Sequence, residues 1–262
     1  MRIACKDNPM IGFDGARVLV TGAGGGIGSV LTARLADLGA TVIACDVEGS
    51  DLQASHIAEH HVFDLRDKAS IDAAAQVVIA SGPPSIVISN AGWTRQDTFD
   101  LTTPEGIATE MDANFTGAAR FTHALLPAMR SLGGNRSFVF VASVNALTHH
   151  GNPAYSAAKA ALLAWMRGLA VEEGKHGIRA NAVIPASVRT NAWVYRLAAD
   201  PTVMDRVSAL YPLGRIVTPD EVVNAILFLA SSAASGITGT SLTVDCGLMA
   251  GNIPFLEAIR PR

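Results

Sequence analysis

Charged residues are scarce in this sequence. Only 16% of its 262 residues are Asp, Glu, Lys or Arg, whereas soluble domains average about a quarter. Apolar residues make up 49%, which excludes a disordered chain, because disorder needs low hydrophobicity. The 20 basic residues do not outnumber the 23 acidic ones and form no cluster, so a protein that binds nucleic acid through its phosphates is excluded as well.

Long apolar runs are also missing. No stretch of about 18 residues is continuously apolar, so we expect no membrane span. Residues 1–13 include Lys6 and Asp7 but no apolar core of a signal peptide, which predicts an N-terminal extension rather than a secretory signal. We therefore expect a cytoplasmic protein.

Cysteine is rare too. Cys5, Cys45 and Cys246 are far apart and form no CxxC pair, which argues against a zinc site and against a disulfide framework. Cys45 and Cys246 lie in apolar runs and are predicted to be buried thiols in a reducing compartment. The three histidines at 56–61 lack a partnering set of ligands, so we expect a solvated helix end there and no metal site.

Short, almost wholly apolar runs alternate with amphipathic helical patterns along the chain. Such runs suit strands covered on both faces, and their alternation with helices predicts βαβ units and a parallel sheet. We therefore predict an α/β fold, a single Rossmann-like domain over residues 1–262 in which helices flank a doubly wound parallel sheet on both faces. The predicted strands are Arg17–Thr21, Thr41–Asp46, Ser85–Ser89, Ser137–Ser143, Arg179–Ile184 and Ser241–Asp245, with His61–Phe63 as a weaker candidate. The predicted helices are Ile27–Leu38, Asp72–Ala80, Asp112–Leu132, Ala154–Glu173 and Thr218–Ser231, the last with a T-x-x-E capping box.

The first predicted turn is rich in glycine. Thr21–Gly28 (TGAGGGIG) joins the first strand to the first helix, where glycines let backbone N–H groups approach a pyrophosphate at the helix N-terminus. Asp46 ends the second strand, and its carboxylate is suited to accept hydrogen bonds from the adenosine ribose and to repel a 2′-phosphate. NAD(H) is therefore favoured over NADP(H), with an ordinary turn residue as the alternative interpretation of Asp46.

Tyr155 and Lys159 lie one helical turn apart, so the phenol and the ammonium can reach one site. A nearby cation is expected to lower the pKa of the phenol and to bring it closer to a useful range for acid–base catalysis. Ser143 ends a predicted strand just before this helix, at the edge where an open sheet faces its ligand crevice. Solvated helix residues are the alternative interpretation of the pair, and the position of the serine favours catalysis.

Taken together, these motifs resemble the short-chain dehydrogenase/reductase family from Arg17 to about Gly247. Ser89–Gly92 (SNAG) resembles the family's NNAG strand end, and Pro185–Thr190 (PASVRT) resembles its PGxVxT segment, with Ala186 in place of the glycine. The resemblance implies a catalytic tetrad of Asn114, Ser143, Tyr155 and Lys159. It also implies cofactor contacts, besides Tyr155 and Lys159, from Thr21, Gly22, Gly26, Ile27, Gly28, Asp46, Asp64, Leu65, Asn90, Ala91, Gly92, Pro185, Val188 and Thr190.

The same resemblance implies an oxidoreductase that transfers a hydride between NAD(H) and a secondary alcohol or ketone of a small molecule. Tyr155 is then the general base in oxidation and the general acid in reduction. Lys159 lowers its pKa and binds the nicotinamide ribose. Ser143 orients the reacting oxygen, and Asn114 holds a water that relays the proton to solvent.

Substrate recognition is predicted to come from the surroundings of the tyrosine. Residues 187–212 form a long connection and are predicted to be a substrate lid. Trp193 and Tyr195 would be its apolar parts, and Arg189 and Arg196 would attract an acid. Further contacts are predicted at Trp93, Asn145, His149, His150 and Asn152, with ordinary loop histidines as the alternative for His149 and His150. A sugar, a polyol, a keto acid and a ketosteroid all stay open.

Two other functions are compatible with this fold. One is epimerisation, although such relatives are usually longer; the other is a non-catalytic NAD-sensing protein, which would be expected to have a broken tetrad. The helix that starts near Tyr155 is rich in alanine and apolar on several faces, which suggests burial beyond one core. The resemblance implies that this helix and Asp112–Leu132 pair across a dimer axis, commonly within a homotetramer. No nucleic-acid or membrane partner is expected.

Overall fold

The structure, a computed structural model, describes residues 11–50, 52, 54–94 and 98–260. Cys5 and most of the predicted N-terminal extension lie outside the described residues, as does the side chain of Tyr195. None of the helices in the described residues has both the length and the hydrophobicity of a membrane span.

A seven-stranded, fully parallel sheet forms the centre of the molecule, with the order β3-β2-β1-β4-β5-β6-β7. The chain winds outward from β1 to β3, returns to place β4 beside β1, and then winds outward in the other direction. This confirms the predicted doubly wound fold and puts the reversal of strand order between β1 and β4, where such sheets bind ligands. The strands are β1 Arg17–Thr21, β2 Thr41–Asp46, β3 Glu59–Val62, β4 Ile86–Ser89, β5 Arg136–Val141, β6 Ile178–Pro185 and β7 Ser241–Val244.

Helices cover both faces of the sheet, and each face has its own apolar core. Leu19 packs on the face covered by α2, α4 and α5, whereas its neighbours Val18 and Val20 pack on the face covered by α1 and α8. This burial on both sides explains why the strands need no polar face and accounts for part of the low charge. The helices are α1 Gly28–Asp37, α2 Lys68–Ser81, α3 Pro104–Met111, α4 Gly117–Arg130, α5 Pro153–Glu173, α6 Val194–Ala199, α7 Val203–Ser208, α8 Pro219–Ala230 and α9 Ile253–Ile259.

The largest difference from the sequence-based expectation lies before α4. The predicted helix Asp112–Leu132 begins with a π-helical turn, Asp112–Thr116, which continues the unpredicted helix α3. The start of α3 is stabilised by Thr103, whose side chain accepts a hydrogen bond from Gly106 N, and by Pro104 in the first turn. Single π turns inside helices are frequent at functional sites.

Three smaller expectations also need comment. The predicted capping box is confirmed, because Thr218 and Glu221 hydrogen-bond each other's backbone N–H at the start of α8. The predicted solvated helix end at the histidines is wrong, since the segment 59–62 is strand β3. Cys45 is fully buried as predicted, but Cys246 is partly exposed, with Sγ 3.5 Å from the Arg215 guanidinium.

Candidate active site

The carboxyl edge of the sheet brings the predicted site residues together. Thr21 lies at the end of β1, Asn90 follows β4, Ser143 follows β5 and Pro185 ends β6. Since all strands are parallel, these four ends face the same side of the molecule.

The glycine turn above β1 is shaped so that side chains are excluded. Gly22 has φ +66°, and a Cβ there would lie 2.8 Å from the Ala91 Cα. A Cβ on Gly28 would overlap the carbonyl oxygen of Gly22, and one on Gly26 would lie 2.7 Å from the Thr190 Cβ. With Ile27 at the N-cap of α1, this turn offers a bare backbone at a helix N-terminus, which fits the pyrophosphate of a dinucleotide.

Hydrogen bonds of the Asn90 and Thr21 side chains join this turn to the segment after β4. The Asn90 Nδ2 donates to the carbonyls of Thr21 (3.1 Å) and Gly22 (3.0 Å). The Thr21 hydroxyl in turn accepts from the backbone N–H groups of Asn90 and Ala91, both at 3.1 Å. The SNAG segment therefore fixes β4 to the glycine turn and shapes the crevice between them.

Two carboxylates lie where the adenosine end of a dinucleotide was expected. Asp46 accepts hydrogen bonds at 2.8 Å from the backbone N–H groups of Gly24 and Val47, which aims its charge at the glycine turn. Asp64 is held by Arg66 through several hydrogen bonds, and this guanidinium lowers the pKa of the carboxyl. The neighbouring Leu65 lies so close to α4 that a Cβ on Gly117 would overlap its carbonyl oxygen.

The predicted acid–base residues form one contiguous group. Ser143, the predicted partner for a substrate oxygen, lies close enough to the Tyr155 phenol to lower its pKa as a hydrogen-bond donor. The Lys159 Nζ lies 5.7 Å from the centre of the Tyr155 ring and donates to the Val141 carbonyl at 3.0 Å. A Cβ on Gly92 would lie 3.0 Å from this Nζ and 3.1 Å from the Asn114 Oδ1, so a bare backbone separates the two polar groups.

Burial dominates the electrostatics of this group. It raises the pKa of Tyr155; the hydrogen bond from Ser143 opposes this rise and the charge of Glu110 adds to it. Burial also lowers the pKa of Lys159 to about 8, against the attraction of Glu110. The pKa of the phenol is therefore raised and not lowered as expected, because desolvation disfavours tyrosinate, and Lys159 is not among the groups that shift it.

Asn114 lies in the π turn between α3 and α4 and is 1% exposed. Its Nδ2 donates to the Trp93 carbonyl (2.7 Å), the Glu110 carbonyl (3.0 Å) and the Glu110 Oε2 (2.9 Å). Its Oδ1 accepts from the Trp93 N–H at 3.1 Å. The whole predicted tetrad is thus brought to one place.

The predicted substrate residues have different surroundings. Asn145 donates from Nδ2 to the Gly151 carbonyl and to Ser156 Oγ, and its backbone N–H donates to Ser143 Oγ at 3.2 Å. It therefore anchors the loop and orients the serine, and a substrate contact stays a prediction. The Trp93 side chain is about half exposed beside Asn114.

Within the predicted lid, Trp193 is largely buried. Its indole N–H donates to the Val188 carbonyl at 3.0 Å, and its ring packs with Tyr211 and Ile216. Trp193 anchors the segment, and its contact with a substrate stays a prediction. The imidazole of His150 is exposed, and partial desolvation together with the neighbouring His149 lowers its pKa.

Glu110 had not been predicted as a site residue, and Tyr211, inside the predicted lid, had been given no role of its own. Glu110 is a buried carboxylate on α3, and Tyr211 is a buried phenol whose oxygen accepts from Ser187 N at 3.2 Å. The Thr103-Pro104 start signal would have placed Glu110 on a helix, four residues before Asn114 and therefore on the same face.

Comparisons with known proteins agree with this geometry. A family model described as Enoyl-(Acyl carrier protein) reductase matches residues 22–249. The chain is 33% identical over 251 residues to the (3R)-3-hydroxyacyl-CoA dehydrogenase of Rattus norvegicus, covering 89% of this chain and 96% of the relative. It is 34% identical over 246 residues to the D-erythrulose reductase of Gallus gallus, covering 92% and 98%. A crystal structure of an oxidoreductase (short chain dehydrogenase/reductase family) from Burkholderia thailandensis matches with a TM-score of 0.85 at 38% identity, covering 93% and 97%.

Proposed function

The chain belongs to the short-chain dehydrogenase/reductase family of oxidoreductases, which use a nicotinamide cofactor, and from this premise we propose that it transfers a hydride between NAD(H) and a secondary alcohol or ketone of a small molecule. The observation that carries the proposal is the contiguous group of Ser143, Tyr155 and Lys159 beside Gly92. Two hydroxyls and a buried amine grouped at the carboxyl edge of the sheet can move a proton at a substrate oxygen.

In this proposal, Tyr155 takes the hydroxyl proton of an alcohol during oxidation and returns a proton to the carbonyl oxygen during reduction. Ser143 donates a hydrogen bond to the same oxygen and stabilises its developing charge. Lys159 lies one helical turn after Tyr155, and its hydrogen bond to the Val141 carbonyl holds its amine in place. Asn114 fixes the strand end that carries Gly92, and the water expected beside it would pass the proton to solvent.

The residues present fit a dinucleotide. The bare glycine turn and the N-terminus of α1 would hold the pyrophosphate, and Asp46 would accept from the adenosine ribose hydroxyls. Because the Asp46 carboxylate would repel a 2′-phosphate, we propose NAD(H) rather than NADP(H). When bound, the cofactor supplies the acceptance and return of the hydride, while the protein supplies position and charge.

For the substrate, we propose a small sugar, polyol or hydroxy/keto acid, covered by residues 187–212 as a lid. The relatives named as acting on a 3-hydroxyacyl thioester and on erythrulose support a secondary alcohol flanked by other oxygen functions. The segment carries two short helices, α6 and α7, anchored through Trp193 and Tyr211, which suits a cover that moves as one piece.

The experiment that tests this function is a panel of alcohols, polyols, hydroxy acids and a 3-hydroxyacyl thioester, each offered with NAD and with NADP. We expect nicotinamide absorbance to rise for at least one substrate, with a higher kcat/KM for NAD. Tight NADH binding without turnover of any member would favour the NAD-sensing alternative. Inversion of a carbinol centre without net change in absorbance would favour an epimerase.

A further inference from the structure

Glu110 is a buried carboxylate that the proposed mechanism does not use. It lies in the last turn of α3 and is only 4% exposed. Removing an ionisable carboxyl from water is costly, so such a group persists where its partners compensate for the loss of hydration. Since Glu110 lies next to the proposed catalytic group, it is placed to affect the residues of that group.

The Glu110 carboxylate contacts Asn114, a residue of the proposed site. Its Oε2 accepts from the Asn114 Nδ2 at 2.9 Å, and the same amide also donates to the Glu110 carbonyl at 3.0 Å. In the same orientation, the amide Oδ1 accepts from the Trp93 N–H. The Glu110 carboxylate therefore adds to the backbone groups of Trp93 in fixing which way the asparagine amide points.

The charge of Glu110 also acts across the gap between α3 and α5. It favours the ammonium form of Lys159 and disfavours the anion of Tyr155, so it raises the pKa of both groups. These two are the ionisable groups of α5 on which it acts, and the charged residue of the adjoining π turn is Asp112, which is partly exposed.

We propose that Glu110 is a positioning residue of this site, whose carboxylate helps to hold the Asn114 amide and whose charge lies where α3 packs against α5. Its significance for catalysis rests on the function proposed above, but its effect on Tyr155 does not. The carboxylate supplies no proton to a substrate in this proposal. It acts through Asn114 and through its charge.

Glu110→Gln tests this, because it keeps an oxygen acceptor and removes the charge. Glu105→Gln is the matched control, since Glu105 lies exposed in the first turn of the same helix. The primary measurement is the ultraviolet titration of tyrosinate in the purified protein without cofactor. The chain has three tyrosines, so subtracting the titration of Tyr155→Phe isolates the signal of Tyr155.

We expect the titration of Tyr155 to move to lower pH in Glu110→Gln and to stay at the native position in Glu105→Gln. In the active enzyme, the rising limb of kcat/KM for oxidation should move to lower pH in the same variant. A Tyr155 titration that does not move in Glu110→Gln overturns the proposal. Should this variant fail to melt cooperatively, Glu110→Met gives a second uncharged side chain of similar size.

The two measurements separate the possible failures. A shifted tyrosinate titration in a protein that oxidises no member of the panel supports the role of Glu110 and overturns the proposed function. An unshifted tyrosinate titration in an active enzyme supports the proposed function and overturns the role of Glu110. A purely structural role would change the melting temperature and leave both pH dependences at their native positions.

Discussion

The side-chain amide of Asn114 pairs with both backbone polar groups of Trp93, as a neighbouring strand would. Nδ2 donates to the Trp93 carbonyl at 2.7 Å and Oδ1 accepts from its N–H at 3.1 Å. The residue just before Trp93 is Gly92, which lies between Asn114 and Lys159. The asparagine thus holds the chain after β4 in place at the point where the cofactor and catalytic parts of the proposed site meet.

Asn114→Ala should release this segment. We expect NADH to bind more weakly and kcat/KM to fall by about 100-fold, because a misplacement of about 1 Å in a catalytic constellation costs about that much. NADH fluorescence titration and steady-state kinetics measure the two effects. Thr109→Ala is the control, since it removes a hydroxyl bonded to the Glu105 carbonyl on the same helix. Native affinity and turnover in Asn114→Ala would rule out this role.

Tyr155→Phe removes the hydroxyl proposed to exchange the proton. We expect turnover to fall by about 10²- to 10⁴-fold, the usual contribution of general acid–base catalysis, while the NADH affinity stays near the native value. Tyr211→Phe removes a phenol oxygen from the anchor of the proposed lid and should cost far less, about the value of one hydrogen bond. Near-native turnover of Tyr155→Phe, followed by nicotinamide absorbance, contradicts the assignment.

Asp46→Asn tests the preference for NAD. Its carboxylate is held by Gly24 and Val47 N–H groups at the edge of the glycine turn, so neutralising it should lower the discrimination against a 2′-phosphate. We expect the ratio of kcat/KM for NAD to that for NADP to fall about 10-fold, which corresponds to about 1.4 kcal/mol. Glu48→Gln makes the same change of charge on an exposed residue two positions away. If the ratio responds equally in both variants, Asp46 does not set the preference.

A homodimer or homotetramer, which the family resemblance implies, would account for the rest of the low charge. Phe115, Ala119 and Trp165 line a shallow groove of about 350 Å³ where α4 and α5 meet, the helices that family resemblance pairs across a dimer axis. Light scattering at micromolar concentration should give two or four times the chain mass of 27.3 kDa. Ala164→Arg, at an exposed position of α5, should lower the mass of the assembly measured by light scattering, because it disrupts the expected interface. Val77→Arg, at an exposed position of α2, should leave that mass unchanged. A monomeric native protein refutes the proposal.

The sequence predicts those parts of this fold that depend on local pattern. Strands β1 and β2 have the predicted bounds, because each is a short apolar run with polar residues only at its ends. The capping box of α8 was likewise readable, since its bonds join residues three apart. The motifs at strand ends could be assigned to one edge because parallel topology brings them there.

The features that the sequence does not predict depend on contacts between residues that are distant along the chain. Helix α3 was missed because it has only eight residues, and its π turn forms where Asn114 meets Trp93, a pairing across 21 positions. The sequence does not distinguish Glu110 from the other acidic residues, because its burial results from the packing of α3 against α5. The pKa of Tyr155 was predicted in the wrong direction because spacing reveals the nearby cation but not the burial of the phenol, which raises its pKa.

Burial of Lys159 should also make the protein less stable than it would be without this charge. The pKa of Lys159 in the folded protein is about 8, compared with 10.5 for a free side chain, so the ammonium is disfavoured by about 3 kcal/mol below pH 8. Between pH 8 and 10.5, the unfolded chain keeps a proton that the folded chain has lost. The free energy of unfolding therefore rises with pH through this window.

Lys159→Met should remove both the activity and this cost. After subtracting about 1 kcal/mol for the lost hydrogen bond to the Val141 carbonyl, we expect a gain of about 2 kcal/mol at pH 7, or a melting temperature higher by about 5 °C. The gain should shrink as the pH approaches 10, because the native lysine is then neutral. Lys175→Met, at an exposed position after α5, should show neither effect in calorimetry. A native protein that melts higher than Lys159→Met at pH 7 would mean that the ammonium is stabilised by its surroundings, and a proton would then leave Lys159 only well above pH 8.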